Sequence, residues 1–567
     1  MRYVFAPIPG PAPEPLAWTS LDRDRALAQA GSGFDLVIIG GGITGAGLAR
    51  EAALRGISFL LVEKEDFGSG TSSRSSKLIH GGFRYLAQGE WRLVRQATTE
   101  RNWLRLALPN LVRPMGFHIC ARAGGADSPG RVRAGILLYD LLSNACSRHR
   151  NPPHRFLTPA QLAAREPAFA TEGVLMAGRY VDHLVDDARL VLETLKEARD
   201  ASGGQSVALN YVKAVRIAEA RGGGLEVGLE DLLGGGRFPV RSRCVVNATG
   251  AWTEATLALA GAAARLLRPT KGVHLVVPNA RLGNREAFVL RSREDGRSFF
   301  VLRRGEVSVI GTTDTDYPGD PDGPWCDRAD CEYLLEPVNR AFPAAHLDCG
   351  DLISTSAGIR PLLRGRDGAA SAQSRRHLCL DPGTGLVTIA GGKLTTFRSM
   401  AWEVLARCAA RGYIRALHGP EARSGFSRRP FRNGLDWADW GRIAAAQGLA
   451  GLVPEATARH LCQQYGQQSL RILREVRRDP AAGAPLLEGQ PFCAAEIRHI
   501  LAFENAPRLC DVMQRRTEMQ MLVHHGRQPV LAGRVAQLMA GAYGWDPART
   551  QAELERYLDH VRHTVIA

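Results

Sequence analysis

Gly40, Gly42 and Gly45 stand at the spacing GxGxxG, between the apolar run FDLVIIG and the helical pattern ITGAGLAREAALRG. Glycines so placed can bind a pyrophosphate. Gly40 permits a tight turn, Gly42 leaves no Cβ between backbone and phosphate, and Gly45 lets helix and strand pack closely. A helix starting near Ile43 would aim free N–H groups and the positive end of its dipole at the phosphates. A second apolar run, ISFLLVE, ends on Glu63. A carboxylate there can accept hydrogen bonds from both ribose hydroxyls of an adenosine, and it disfavours the 2′-phosphate of NADP. Strand, glycine turn, helix and acid together predict the βαβ unit of a dinucleotide site.

The residues that follow, KEDFGSGTSSRSSKLIHGGFRYL, crowd hydroxyl groups (Ser69, Thr71, Ser72, Ser73, Ser75, Ser76) ahead of Lys77, His80, Gly81, Gly82, Arg84 and Tyr85. A nicotinamide makes no evident demand for such a loop after its second strand. A flavin does, because it must be held along its pyrophosphate, ribityl chain and ring.

At these residues the chain resembles the FAD-dependent glycerol-3-phosphate dehydrogenases, the aerobic, quinone-linked family within the amino-acid-oxidase-like flavoproteins. The resemblance is carried by IIGGGITGAGLAREAALRG, GTSSRSSKLIHGGFRYL, VDDARLVL, VVNATGAW, KGVHLVVP, IGTTDTDY, SAGIRPL and GGKLTTFR, in the family's order across residues 34–400. It implies an α/β chain with an FAD-binding Rossmann-like domain, an antiparallel β substrate domain and a C-terminal all-α domain. It implies FAD contacts from Gly40, Gly42, Ile43, Thr44, Gly45, Glu63, Lys64, Thr71, Ser72, Ser76, Lys77, Leu78, His80, Gly81 and Gly82. Ala248, Thr249 and Gly250 in the ATG segment, and Gly392, Lys393, Leu394 and Thr395 in GGKLTTFR, complete that set.

The implied reaction is oxidation of sn-glycerol 3-phosphate to dihydroxyacetone phosphate by hydride transfer to FAD, with electrons passed to a membrane quinone. Return of the electrons to oxygen, giving hydrogen peroxide, stays open at this point. The resemblance sets Arg84, Tyr85, His274, Arg360, Arg375 and Lys393 at the substrate, with His274, Arg360 and Lys393 as the catalytic set. Arg375, with Arg84 or Lys393, would hold the phosphate, since a guanidinium fork matches two oxygens at once. Tyr85 would fix a hydroxyl. His274 is the first choice for base because an imidazole titrates near working pH. Arg360 would polarise the alkoxide, a guanidinium being too weak a base to take the proton. Arg376 departs from the family, which commonly has an acid there.

Elements to position these residues follow from periodicity. Residues 1–33 read as a proline-rich extension reaching the first strand as an extended arm, residues 34–412 as the FAD domain interleaved with a cap mainly over 265–350, and residues 413–567 as helical. Within the cap, VHLVVP, AFVLRS, SFFVLRR and VSVIGTTD alternate as antiparallel strands. SVALNYVKA reads as one strand, and Asp186 or Asp187 as the cap of a helix. EWRLVRQATTERNWLRLALPNLV predicts an amphipathic helix ending before Pro109. RVRAGILLYDLLSNACSRHR fits either a helix lying flat on a bilayer or an internal helix with solvated arginines.

Composition bounds the partners. The 567 residues carry 72 Lys+Arg against 57 Asp+Glu, a formal charge of +15. Arginines are spread along the chain without a tract or a nucleic-acid-binding motif, which favours an anionic substrate and membrane surface over nucleic acid. A flavin-dependent RNA-binding protein is the rival from another class, and it would show salt-sensitive RNA retention. Eleven cysteines without a CxxC pair suggest reduced thiols and no metal. The absence of an apolar span and of a signal-like N-terminus predicts a cytoplasmic protein, peripheral on the inner face of the cytoplasmic membrane, with a homodimer possible.

Overall fold

The run FDLVIIG forms the strand Leu36–Ile39, every residue of it buried. It lies in a sheet ordered His377–Leu380, Leu386–Gly391, Val245–Asn247, Leu36–Ile39, Phe59–Val62, Val207–Leu209. All neighbours are parallel except the first hairpin. Uninterrupted apolar strands are what a parallel sheet covered on both faces requires. One cover is the helix layer Ile43–Ala53, Asp187–Ala201 and Phe397–Ala410. The other is an antiparallel meander of Val212–Glu219, Leu225–Asp231 and Arg237–Ser242. The computed structural model describes residues 14–566 apart from 87, 125–126, 145–150, 366–376, 418–426 and 428.

A second sheet carries the expected cap strands, Leu267–Pro278, Ala287–Arg291, Ser298–Arg304 and Val307–Gly311, joined antiparallel. It also recruits Leu78–Ile79, Arg113–Arg122, Arg155–Leu157 and Val174–Leu184 from before residue 265, and Ser354–Leu363 from after 350. One junction, Ala287–Arg291 with Arg113–Arg122, is parallel. The first sheet's connections thus run through the second, which brings cofactor and cap elements edge to edge.

Two local readings change. SVALNYVKA is broken where Tyr211 takes a φ of +56°, so its first half completes the parallel sheet and its second half begins the meander. The arm before Phe34 is not extended throughout. Its prolines end at Pro15, the Thr19 hydroxyl accepts from Leu21 N–H, and good helix formers then build Arg23–Ala30. The stretch LCDVMQRRTEMQML is a short helix, the π-helix Val512–Arg516 and another short helix. Asp186 does cap Asp187–Ala201, accepting from the Arg189 N–H.

RVRAGILLYDLLSN forms the helix Pro129–Asn144, with Val132, Ile136 and Tyr139 turned inward and Leu137 and Leu141 exposed. The C-terminal helices close on a core of their own, around Trp440, Leu461, Tyr465, Leu473, Phe492 and Tyr557. Among the described residues no helix is long and apolar enough to cross a membrane.

Candidate active site

Gly40 takes a φ of +112°, and a Cβ there would sit 2.6 Å from the Ala248 carbonyl oxygen. Gly45 does not face the cavity; its missing Cβ leaves room for the Gly40 carbonyl, which would otherwise lie 1.9 Å away. The turn is therefore closed by backbone approach, and the helix beginning at Ile43 aims its free N–H groups past it. Ile43 N–H donates to the Ser72 hydroxyl at 2.9 Å. Glu63 accepts from Gly41 N–H at 2.7 Å and from Glu65 N–H at 3.0 Å. Burial raises its pKa while those two N–H donors oppose the rise.

Around these groups lies a cavity of ≈ 500 Å³, lined by Gly40, Gly42, Ile43, Thr44, Glu63, Lys64, Thr71, Ser72, Ala248, Thr249 and Gly250. Lys64 stands 4.4 Å from the Trp252 ring centroid and pairs with Asp322 of the cap at 2.5 Å. A second cavity of ≈ 540 Å³ continues it, sharing Thr71, Arg74, Ser75, Pro361, Gly392, Lys393 and Leu394. A long trough with an N–H-rich end, a carboxylate and a hydroxyl-lined middle fits FAD along its length.

The second cavity gathers Ser76, Leu78, His80, Gly82, Arg84, Tyr85, Arg360, Lys393 and Thr395 from the sequence-expected set. Lys393 Nζ sits 3.6 Å from the Tyr85 ring centroid. Arg360 donates to Thr313 O at 2.9 Å, to Asp314 Oδ1 at 3.0 Å and to Thr312 Oγ1 at 2.8 Å, which fixes its fork.

Other expected residues stand elsewhere. His274 is buried behind the wall, its Nε2 2.9 Å from the Ser76 hydroxyl. Burial, then the charges of Arg360 and Lys77, bring its pKa down to about 3. Lys77 turns from both cavities to pair with Asp187 at 2.5 Å. Gly81 spends its N–H on the Tyr139 hydroxyl at 2.9 Å. Arg375 and Arg376 lie outside the described residues.

Sequence reasoning missed Arg74, Arg131, Arg291 and Arg297, all lining the second cavity. Arg297 Nη2 reaches Asp314 Oδ2 at 2.6 Å, so one fully buried carboxylate holds Arg297 and Arg360 together. Asp314, the first of the two acids inside IGTTDTDY, was the one signal available for this. In the cap, His118, Glu166 and Glu286 converge closely enough to hold a metal. Glu286 is instead gripped by both arms of Arg179, and Glu166 by the N–H groups of Arg285 and Glu286.

Residues 35–398 match the family of FAD dependent oxidoreductases, and residues 427–550 match the C-terminal domain of alpha-glycerophosphate oxidase. The chain is 36% identical to glycerol-3-phosphate dehydrogenase 2 of Mycobacterium tuberculosis over 98% of itself and 92% of that protein. It is 36% identical to the aerobic glycerol-3-phosphate dehydrogenase of Staphylococcus haemolyticus over 67% of each chain. The Bacillus halodurans glycerol-3-phosphate dehydrogenase, solved in complex with FAD, superposes with a TM-score of 0.75 at 26% identity, covering 96% of this chain and 98% of that one.

Proposed function

The chain belongs to the FAD dependent oxidoreductase family and, within it, to the FAD-dependent glycerol-3-phosphate dehydrogenases, and from that premise we propose that it oxidises sn-glycerol 3-phosphate to dihydroxyacetone phosphate and delivers the electrons to a membrane quinone. The observation that carries the substrate reading is the set of cations, Arg84, Arg297, Arg360 and Lys393, gathered in the cavity that continues the FAD trough. One carboxylate, Asp314, serves both Arg297 and Arg360, so the wall carries a net positive charge that suits a small dianionic alcohol better than an uncharged one.

Bound FAD supplies the hydride acceptor. Arg84 and Lys393, with Arg375 of the sequence-derived set, bind the phosphate, and Tyr85 steadies a hydroxyl. Arg360, locked by Asp314 and Thr312, polarises the substrate oxygen as its proton leaves. His274 takes that proton through Ser76, whose hydroxyl lines the cavity and meets His274 Nε2 at 2.9 Å. Burial and the charges of Arg360 and Lys77 keep the imidazole neutral, with a lone pair for the proton, and the same surroundings weaken it as a base.

Peripheral attachment to the inner face of the cytoplasmic membrane is supported by Trp91, Leu137 and Leu141, at 51%, 52% and 62% exposure. Exposed Arg92, Arg95, Arg131 and Arg133 lie on the same two helices. Oxygen as acceptor is the second reading, favoured by the match of residues 427–550 to an alpha-glycerophosphate oxidase domain.

Anaerobic addition of sn-glycerol 3-phosphate to the yellow holoprotein tests the reaction, with glycerol, lactate and hydroxyglutarate as controls. Bleaching by the phosphorylated alcohol alone is expected. A spectrum indifferent to it, or equally responsive to glycerol, removes the proposal. Re-oxidation by a quinone analogue against oxygen then separates the acceptors.

A further inference from the structure

Among the described residues the C-terminal domain lines neither cavity of the trough, yet its π-helix Val512–Arg516 reaches the segment that carries Glu63. Asp66 is the contact, fully buried three residues beyond the acid. Its Oδ2 accepts from Arg515 Nε and Arg516 Nη1, each at 2.5 Å. Its Oδ1 accepts from Arg516 Nη2 and from Asn210 Nδ2, each at 2.8 Å. Arg516 is itself fixed by the carbonyls of Glu504 and Asn505, at 2.9 and 2.7 Å. Burial by itself would raise the Asp66 carboxyl, but Arg516 and Arg515 override it and hold the group ionised.

The front of the same segment is cofactor wall. Glu63 accepts from Gly41 N–H, and Gly68 N–H donates to Gly41 O at 3.0 Å. Phe67 is so close beneath Gly41 that a Cβ there would meet its ring at 2.9 Å. Trp18 packs against Phe67 with ring centroids 5.2 Å apart and planes tilted by 35°, and its backbone is bonded to Ala502 O and Asn505 N–H of the C-terminal domain. Residues 63–68 are thus a single strap, with the glycine turn on one side and C-terminal guanidinium groups on the other.

We propose that Arg515 and Arg516 are positioning residues for FAD: through Asp66 they set the strap that presents Glu63 and supports the glycine turn, so the C-terminal domain completes the cofactor site. The chemistry is general. A buried carboxylate with two guanidinium partners has one low-energy placement, and without them it is driven toward water, taking the strap with it.

The test is FAD affinity of the full-length protein. Apoprotein is titrated with FAD, following loss of flavin fluorescence, for the wild type, Asp66→Asn, Arg516→Lys and the surface control Arg498→Ala, whose ion pairs with Glu475 and Asp479 are exposed. We expect the dissociation constant to rise at least tenfold for Asp66→Asn and Arg516→Lys and to stay unchanged for Arg498→Ala. Melting midpoints with and without FAD give the second readout. A bracing role confined to folding lowers both midpoints equally and leaves the constant within twofold, and that outcome overturns the proposal. Should Asp66→Asn fail to fold, Arg515→Lys reads the same constant, since Arg516 keeps its bonds to Asp66. The result is independent of substrate, so it stands or falls apart from the reaction assigned above.

Discussion

His274 shows how burial can recast a residue chosen for its ordinary chemistry. Behind Ser76, and beside the charges of Arg360 and Lys77, its pKa lies near 3, below that of a free imidazole. The group is therefore neutral throughout the range in which enzymes work, and it contributes no acid limb to turnover between pH 5 and 8. A rate profile with an inflection near 6.5 that vanishes in His274→Asn would overturn this. Stability carries the opposite mark: the unfolded chain protonates first as pH falls from about 6.5 toward 3, so the fold loses stability across that window. His274→Ala should keep its flavin and lose turnover by about 10²–10⁴-fold, the usual range for a lost general base. Full activity in that variant refutes the assignment. Arg297 makes a companion prediction. Charge-assisted contacts contribute about 1.5–3 kcal/mol, so Arg297→Ala should raise KM for glycerol 3-phosphate by about 10–100-fold in steady-state assays at saturating FAD. Asp314 would keep Arg360 and the Thr270 hydroxyl, at 2.6 Å, after losing this partner.

At the scale of elements, the glycine turn is the most exacting part. With 1.9 Å between a hypothetical Gly45 Cβ and the Gly40 carbonyl, Gly45→Ala must push the helix Ile43–Ala53 off its strand. Overpacking of this sort costs about 1–3 kcal/mol, and here it also displaces the N–H groups aimed at the pyrophosphate. The variant should purify with little or no flavin, read from the ratio of visible to ultraviolet absorbance; stoichiometric FAD would show that the turn relaxes freely. This element was legible in the sequence because glycine spacing, apolar runs and a terminal acid are local signals. The cap strands from Leu267 to Gly311 were legible for the same reason, through their period of two. What stayed hidden depends on partners far along the chain. Arg297 meets Arg360 at Asp314 only because the strand Leu267–Pro278 pairs with both Val307–Gly311 and Ser354–Leu363. Lys77 leaves the cofactor loop because Asp187, the first residue of a distant helix, offers it a carboxylate. The break at Tyr211 and the helix Arg23–Ala30 were masked by apolar alternation on one side and by prolines on the other.

The proposed transfer to a membrane quinone requires the molecule to bring its substrate cavity to a lipid surface, and its exposed residues point to one place for it. On the helix Pro129–Asn144, Arg133, Leu137 and Leu141 recur every four residues and are all exposed, forming one stripe away from the core. From the same helix Arg131, Val132, Ala134, Gly135 and Leu138 line the second cavity. A single helix thus shows one face to the substrate cavity and another to the outside, so docking it on a bilayer would set that cavity a helix diameter, about 10–12 Å, from the lipid surface. Inserting a leucine side chain contributes about 1.5–3 kcal/mol when fully buried, and each arginine near an anionic leaflet about 1 kcal/mol. Leu137→Ser with Leu141→Ser should therefore reduce sedimentation with anionic phospholipid vesicles and slow re-oxidation by a long-chain quinone in those vesicles. Anaerobic bleaching by glycerol 3-phosphate should be unaffected, because neither leucine faces the cavity. Raising salt should weaken the vesicle binding of the wild type, since the arginine contribution is screened within a Debye length of about 8 Å at physiological ionic strength. If the double variant sediments like the wild type at every salt concentration, this stripe is ordinary solvated surface, and the acceptor must reach the site by another face.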